Sequence, residues 1–197
     1  VTYIDYGSGK RAYLSPILDC AGEVISYAVS ESQDLSMISA MLDDIRKDTI
    51  HEGTVFHSDQ GALYMSDQFQ ERLKEMGLIQ SMSRRGNCWD NAAMESFFGH
   101  LKDHCHFAGC VAFQEVKKMI DDYIEYYNNE RPQWTRLKMT PAAYARYLKE
   151  MGEQEFKAYL AKERKKYEQM ITRSIERTDK HGEHLRSVIS SLVEETR

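Results

Sequence analysis

The stretch TVFHSDQGALYMS, residues 54–66, sets the frame for the chain. Thr54 to Ser58 is a short β-prone run, with the branched Val55 and the aromatic Phe56 at its centre. It ends on a carboxylate, Asp59, with Gly61 two positions on. Ser66 then opens a segment in which Phe69, Leu73 and Met76 recur at helical spacing. A strand that delivers an acid at its C-terminal tip and then passes into a helix is a unit of open α/β sheets, where ligands collect at that end of the strands. Acids at strand ends also form turns and cap helices, so Asp59 alone does not decide the chemistry.

Upstream, VTYIDY, RAYLSPIL and EVISYAVS read as strands, separated by the turn-like GSGK and DCAG. Pro16 cannot donate to a sheet ladder, which predicts an irregularity or a strand end there. Leu35, Ile38, Leu42 and Ile45 mark a helix following Asp34. Downstream, LIQSM reads as a short strand and SRRGNCWD as a loop. A helix follows from about Asn91 to Asp103, with Asp90 as its expected cap. Phe113, Val116, Ile120, Tyr123 and Tyr127 mark another helix, and Thr140-Pro141 opens a third. Strands first, then alternation, then helices: the order predicts an α/β domain over residues 1–150, a mixed sheet flanked by helices. Residues 151–197 read as a helical tail, with Phe156, Leu160, Tyr167 and Ile171 as an incomplete stripe and Leu185, Val188, Ile189 and Leu192 as a second. The expectation is a helical hairpin that self-associates or packs on the core. KERKK within it reads as a solvated helix face.

Across 197 residues the formal net charge is −5, which argues against wholesale coating of nucleic acid but not against local contact. No apolar run approaches the ~20 residues of a membrane span. The four cysteines form no C-x-x-C pair, and reduced thiols in a cytoplasmic protein are the expectation.

A partner for Asp59 is found in NAAMESFFGHLK, residues 91–102. Met94, Phe97 and Phe98 belong on a buried face, and Glu95 borders it, pointing either to water or into a cleft shared with the sheet edge. HSDQG, thirty-five intervening residues and this glutamate resemble the catalytic core of bacterial insertion-sequence transposases related to retroviral integrases. YLSPILD, SRRGNCWDNA, IEYYNNERPQ and LKMTPAAY are similar to that family too, in the same order, so the likeness covers about residues 1–148. It implies an RNase H-like fold that brings Asp59 and Glu95 together as catalytic, metal-holding acids. The implied activity is metal-dependent cleavage and joining of DNA strands, with a two-ion site for Mg²⁺ or Mn²⁺. Carboxylates suit that task as hard oxygen donors ionised at neutral pH. The implied partners are DNA, as transposon ends and target, and further copies of the chain.

In that family a third acid lies in a Thr-Asp pair immediately before the position of Val1. Asp5 has the opposite strand parity and Asp19 lies beside the turn after the next strand, so neither is an expected replacement. The chain as written is expected to keep its fold while catalysis is lost or weakened, or else to be a non-catalytic DNA-binding or assembly remnant. Arg84 and Arg85, just ahead of the Glu95 helix, are candidates to hold phosphates. Lys102, two turns after Glu95, is a DNA contact or a surface lysine, and Asn91, one turn before it, orients Glu95 or caps the helix. Trp89 and Trp134 read as packing residues, with base stacking the second choice. His100, His104, Cys105, His106 and Cys110 match no standard zinc spacing. His57 reads as a packed or hydrogen-bonded residue.

Overall fold

The computed structural model describes residues 1–45, 50–84 and 91–176. The chain divides into two units, Val1–Tyr147 and Leu148–Arg197. The first unit opens with an antiparallel meander of β1 (Thr2–Tyr6), β2 (Lys10–Leu18) and β3 (Val24–Ser30), in that spatial order. Helix α1 (Leu35–Asp43) follows, then β4 (Val55–Ser58), helix α2 (Asp67–Glu75) and β5 (Ile79–Met82). β4 and β5 pair in parallel, from Val55 opposite Ile79 to Ser58 opposite Met82. A parallel pair needs a crossover, and α2 supplies it. Helices α3 (Ala92–His104), α4 (Phe113–Asn129) and α5 (Pro141–Glu150) complete the domain.

Two apolar clusters show how the layers stack. Ile4, Tyr6, Ala12, Leu14 and Val24 from the meander pack with Phe97 and Leu101 of α3 and with Val116, Ile120, Tyr123 and Tyr127 of α4. Ile17, Ile25 and Ala28, together with Phe56 of β4, pack instead with Ile38, Met41 and Leu42 of α1 and with Phe69 and Leu73 of α2. Strand residues thus divide between two helical layers, as the RNase H-like expectation requires. The strict alternation of side chains breaks once. β2 runs through Pro16, opposite Tyr27, and the register slips one residue further on, so that Ile17 faces Ser26 and Leu18 faces Val24. With one extra residue in β3, both Ile25 and Ser26 turn towards α1, where the Ser26 hydroxyl donates to the Met41 carbonyl. The irregularity expected from Pro16 is a bulge at its neighbour.

Helix ends follow their local chemistry. Asp34 caps α1 and Ser66 caps α2, each accepting a backbone N–H three residues on. The Thr140 hydroxyl accepts from Ala143 N–H ahead of α5. The C-terminal end of α4 is held to the sheet by Asn128, whose amide donates to the Val24 carbonyl and accepts from the Val24 N–H, both at 2.9 Å.

In the second unit, helix α6 (Glu153–Glu176) leaves Phe156 and Leu160 exposed. The expected stripe from Leu185 to Leu192 lies outside the described residues. Among the described residues, no helix is long and apolar enough to cross a membrane.

Two outcomes follow from this packing. Asn128→Ala removes both bonds of a part-buried amide and should lower unfolding stability by about 2 kcal/mol in urea titration. Hydrogen bonds from the Ser32 and Ser36 hydroxyls and the Met37 N–H hold the Asp34 carboxyl down at about 2, below its ordinary 3.8. A depressed carboxyl stabilises the fold above its unfolded value and loses that contribution as pH falls towards the folded value. The stability gap between the unmodified chain and Asp34→Ala should therefore be full at pH 5 and shrink progressively below pH 4.

Candidate active site

Asp59 follows Ser58, the last residue of β4, and its position is set by hydrogen bonds on both sides. Ser58 is buried, and its carbonyl accepts from the Ser83 N–H at 2.8 Å, extending the β4–β5 ladder past Met82. His57 uses both ring nitrogens, each 3.0 Å from a serine hydroxyl, Ser81 and Ser83. This is the hydrogen-bonded role expected for His57. Gln60 donates to the Ser83 carbonyl at 3.1 Å. The tip of β4 is thus tied to the end of β5 at several points.

Beyond the tip the chain turns sharply. One oxygen of Asp59, Oδ1, accepts from the Gly61 N–H at 2.9 Å. A side chain at 61 would place its Cβ 2.8 Å from that oxygen, a distance real Cβ atoms essentially never show. A side chain at 61 would therefore push the Asp59 carboxylate aside. The turn ends at Tyr64, which is buried, with its hydroxyl 2.9 Å from the fully buried Ser15 hydroxyl of β2. Burial raises the Tyr64 phenol above its ordinary value, and the nearby negative charge of Asp59 adds to the effect.

Asp59 lines a cleft of about 240 Å³ together with Tyr64, Val1, Asp19, Asn91 and Met94. Four separate segments meet there: the start of β1, the end of β2, the tip of β4 and the first turn of α3. Burial pushes the Val1 ammonium below its ordinary value, and the charge of Asp59 acts in the opposite direction. The amino end of β1 and the acid at the tip of β4 are electrostatic neighbours.

Glu95 is exposed in the first turn of α3. At about 100° per residue it lies about 40° round the helix from Asn91 and about 20° from Lys102, so the three share one stripe. Asn91 lines the cleft, and Lys102 holds its Nζ 5.2 Å from the centroid of the Tyr3 ring, two residues from Val1. Glu95 therefore sits between two residues that both face the start of β1. Glutamate near a helix N-terminus is also favoured by the helix dipole. Asn91 occupies the N-cap position without a side-chain capping bond, which leaves its amide for the cleft. Asp90, the expected cap, lies outside the described residues, as do Arg85 and Trp89. Arg84 is exposed and follows directly on Ser83, the residue bonded to the Asp59 tip.

Asp5 pairs with Arg11 at 2.8 Å on the exposed side of the meander, away from the cleft. Asp19 lines the cleft, but its Oδ1 accepts from the Glu23 N–H at 2.8 Å and so shapes the β2–β3 turn. Burial raises its carboxyl above the usual range, against the hydrogen bonds from backbone N–H groups. Its turn-forming role was legible in DCAG, but its place in the cleft was not. Tyr64 and Ser15 were missed too, since a tyrosine five residues beyond the acid carries no signal of its own. Among the described residues no group of three or more His, Cys, Asp or Glu side chains is arranged to hold a metal ion. That includes His104, Cys105, His106 and Cys110, of which His104 stacks on Tyr126 and Cys105 donates to the Met119 carbonyl. Asp59 and Glu95 nevertheless offer the hard oxygen donors that Mg²⁺ prefers. Trp134 corrects the packing expectation: it is 83% exposed.

Two family models, both described as an integrase core domain, match residues 1–88 and 76–141. InsK, the transposase assigned to insertion sequence element IS150 of Escherichia coli (strain K12), is 44% identical over 140 residues, which cover 70% of this chain and 50% of that protein. An uncharacterized transposase-like protein of Haemophilus influenzae is 39% identical over 146 residues, covering 73% of this chain and 67% of that one. The chain thus spans half the length of the IS150 relative. The HTLV-2 integrase catalytic core in complex with magnesium, solved in dimeric and trimeric forms, superposes with TM-scores of 0.52 and 0.55 at 17% and 16% identity. The trimeric form covers 73% of this chain and 90% of the HTLV-2 core. That likeness shows the fold.

Proposed function

The chain belongs to the insertion-sequence transposases with an integrase core domain, and we propose that it is the core that cuts and joins DNA strands with the help of divalent metal ions. The observation that carries this reading is the cleft in which Asp59, held out by the β4–β5 ladder, meets the helix turn that bears Glu95. Asp59 and Glu95 are the residues that would hold Mg²⁺ or Mn²⁺, which when bound lowers the pKa of an attacking hydroxyl and offsets charge on the leaving oxygen.

The chain's own residues position the strands. The Gly61 N–H holds one oxygen of Asp59, and a carboxylate keeps further acceptor capacity for a metal ion. Asn91, which makes no side-chain capping bond, presents its amide to the cleft beside Asp59. Arg84, with Arg85 after it, offers guanidinium forks to phosphates approaching along the end of β5. Lys102, lying over Tyr3 on the Glu95 stripe, meets the DNA backbone as it leaves the cleft. Several copies of the chain act together on transposon ends and target, in the cytoplasm where that DNA lies.

A third carboxylate belongs to this reading. A residue joined to the Val1 nitrogen in a longer chain would enter near Asp59, because Val1 and Asp59 line the same cleft. The family pattern puts an aspartate at that position.

The test is strand joining by the chain preceded by Thr-Asp, on DNA ends, with Mg²⁺ or Mn²⁺. Joining should require both metal and Asp59, so Asp59→Asn should lower it at least a hundredfold with the fold intact. An extended chain that joins no strands contradicts the reading. Gly61→Ala should displace the carboxylate by tenths of an ångström to an ångström and reduce the joining rate about tenfold to a hundredfold. The same variant should shift the urea midpoint only slightly.

A further inference from the structure

Trp134 is the most exposed large apolar residue among the described ones, and a local device holds it out. The segment 131–139 is a tight hairpin, closed by an antiparallel bridge between Gln133 and Met139 around a 3-10 turn at Trp134–Arg136. Leu137 and Lys138 adopt left-handed backbone, with φ of 55° and 62°. Two consecutive non-glycine residues in that region are uncommon and strained, and such strain persists only where the surroundings enforce it. Here the hairpin's own bonds hold it: the Lys138 N–H donates to the Gln133 carbonyl at 3.0 Å and the Met139 N–H to the Arg136 carbonyl at 2.8 Å, while the Arg136 guanidinium donates to the Ala21 carbonyl and lies against Gly22 in the β2–β3 turn. Gly22 has a φ of +76°, and any side chain there would overlap Arg136. With Arg136 turned inward, Trp134 and Lys138 are turned outward.

The exposed pair has its own geometry. Lys138 Nζ stands 4.6 Å from the centre of the Trp134 ring, a cation over one face of the indole. The indole is 83% exposed, so its opposite face is open to a flat partner. The hairpin also sits close to the site. The turn that Arg136 grips contains Asp19 and Cys20, which line the same cleft as Asp59. Charge complementarity selects the partner. From Arg131 to Lys149 the sequence carries five cations and no acid, in a chain of net charge −5. An acidic protein surface complements such a run as well, but a phosphate backbone carries a denser and more regular line of negative charge, and the exposed indole adds a face for a base.

We propose that the Trp134–Lys138 hairpin is a DNA contact that stacks an unpaired base of a strand end while Lys138 meets the adjoining phosphate. The inference rests on the DNA-processing reading above and adds a recognition element to it. Strand cutting and joining expose unpaired ends, and stacking on an aromatic face tolerates any base.

The experiment measures anisotropy of a labelled, mixed-sequence single strand of about 20 nucleotides, and of its blunt duplex, with the full chain in EDTA. Trp134→Ala should weaken single-strand binding about five- to fiftyfold. Trp134→Phe should recover most of it, and the duplex should respond less. Lys138→Gln should lower the slope of log affinity against log salt by about one. Single-strand binding by Trp134→Ala equal to that of the unmodified chain overturns the inference. So does a fall in sedimenting mass with DNA binding intact, which would make the patch a contact between copies. The functional reading fails separately: Trp134-dependent binding would persist while the extended chain joined no strands.

Discussion

The burial of Phe97 is the interaction on which the site depends. Its ring is 1% exposed, packed edge-on against Tyr127 and tilted against Phe98 and Tyr123. With Leu101, fully buried one turn later, it fixes both the depth and the rotation of α3 on the meander. Burying an aromatic of this size contributes roughly 2–3 kcal/mol, but its geometric effect matters more. Once Phe97 and Leu101 point inward, Asn91, Glu95 and Lys102 fall along one flank of the helix, of which Asn91 and Lys102 lie near the start of β1 and Glu95 is exposed between them along the axis. Glu95 does not choose its place; its apolar neighbours choose it.

The other half of the site has a different cause. β4 is only four residues long, too short to hold an acid steady by pairing alone. Hydrogen bonds at and beyond its end take over: His57 binds two serines, Gln60 and the Ser58 carbonyl bind Ser83, and the Gly61 N–H binds Asp59 directly. The loop behaves as a continuation of the parallel pair. The β2–β3 turn then closes the cleft from the far side and serves as the anchor for the hairpin of Arg136.

Much of this was legible in the residues. Period-two and period-3.6 patterns marked the strands and helices of the first unit, because those elements bury apolar residues in two clusters. Ser66 and Thr140 announced their helix starts through capping chemistry. Asp59 at a strand tip was a weak signal by itself and Glu95 only bordered an apolar face; what paired them in the sequence was the family resemblance of HSDQG and NAAMESFFGHLK. What could not be read depended on contacts far apart in sequence. Asn128 reaches Val24 across 104 positions, and Arg136 reaches Ala21 across 115. Pro16 marked an irregularity in β2, but not that the extra residue would lie in β3 and send both Ile25 and Ser26 to one side. Trp134 read as a packing residue because aromatics usually bury; it is exposed on a hairpin tied to Ala21 through Arg136, a contact that no pattern around the tryptophan reveals.

The account stands on Asp59 and Glu95 serving one metal site. The direct measurement is a crystal structure of the chain preceded by Thr-Asp, grown with Mn²⁺ and phased for anomalous scattering. The account predicts an anomalous peak within about 2–2.5 Å of carboxylate oxygens from both Asp59 and Glu95. A model with those two carboxyl groups on opposite surfaces, or with manganese bound to neither, would contradict it.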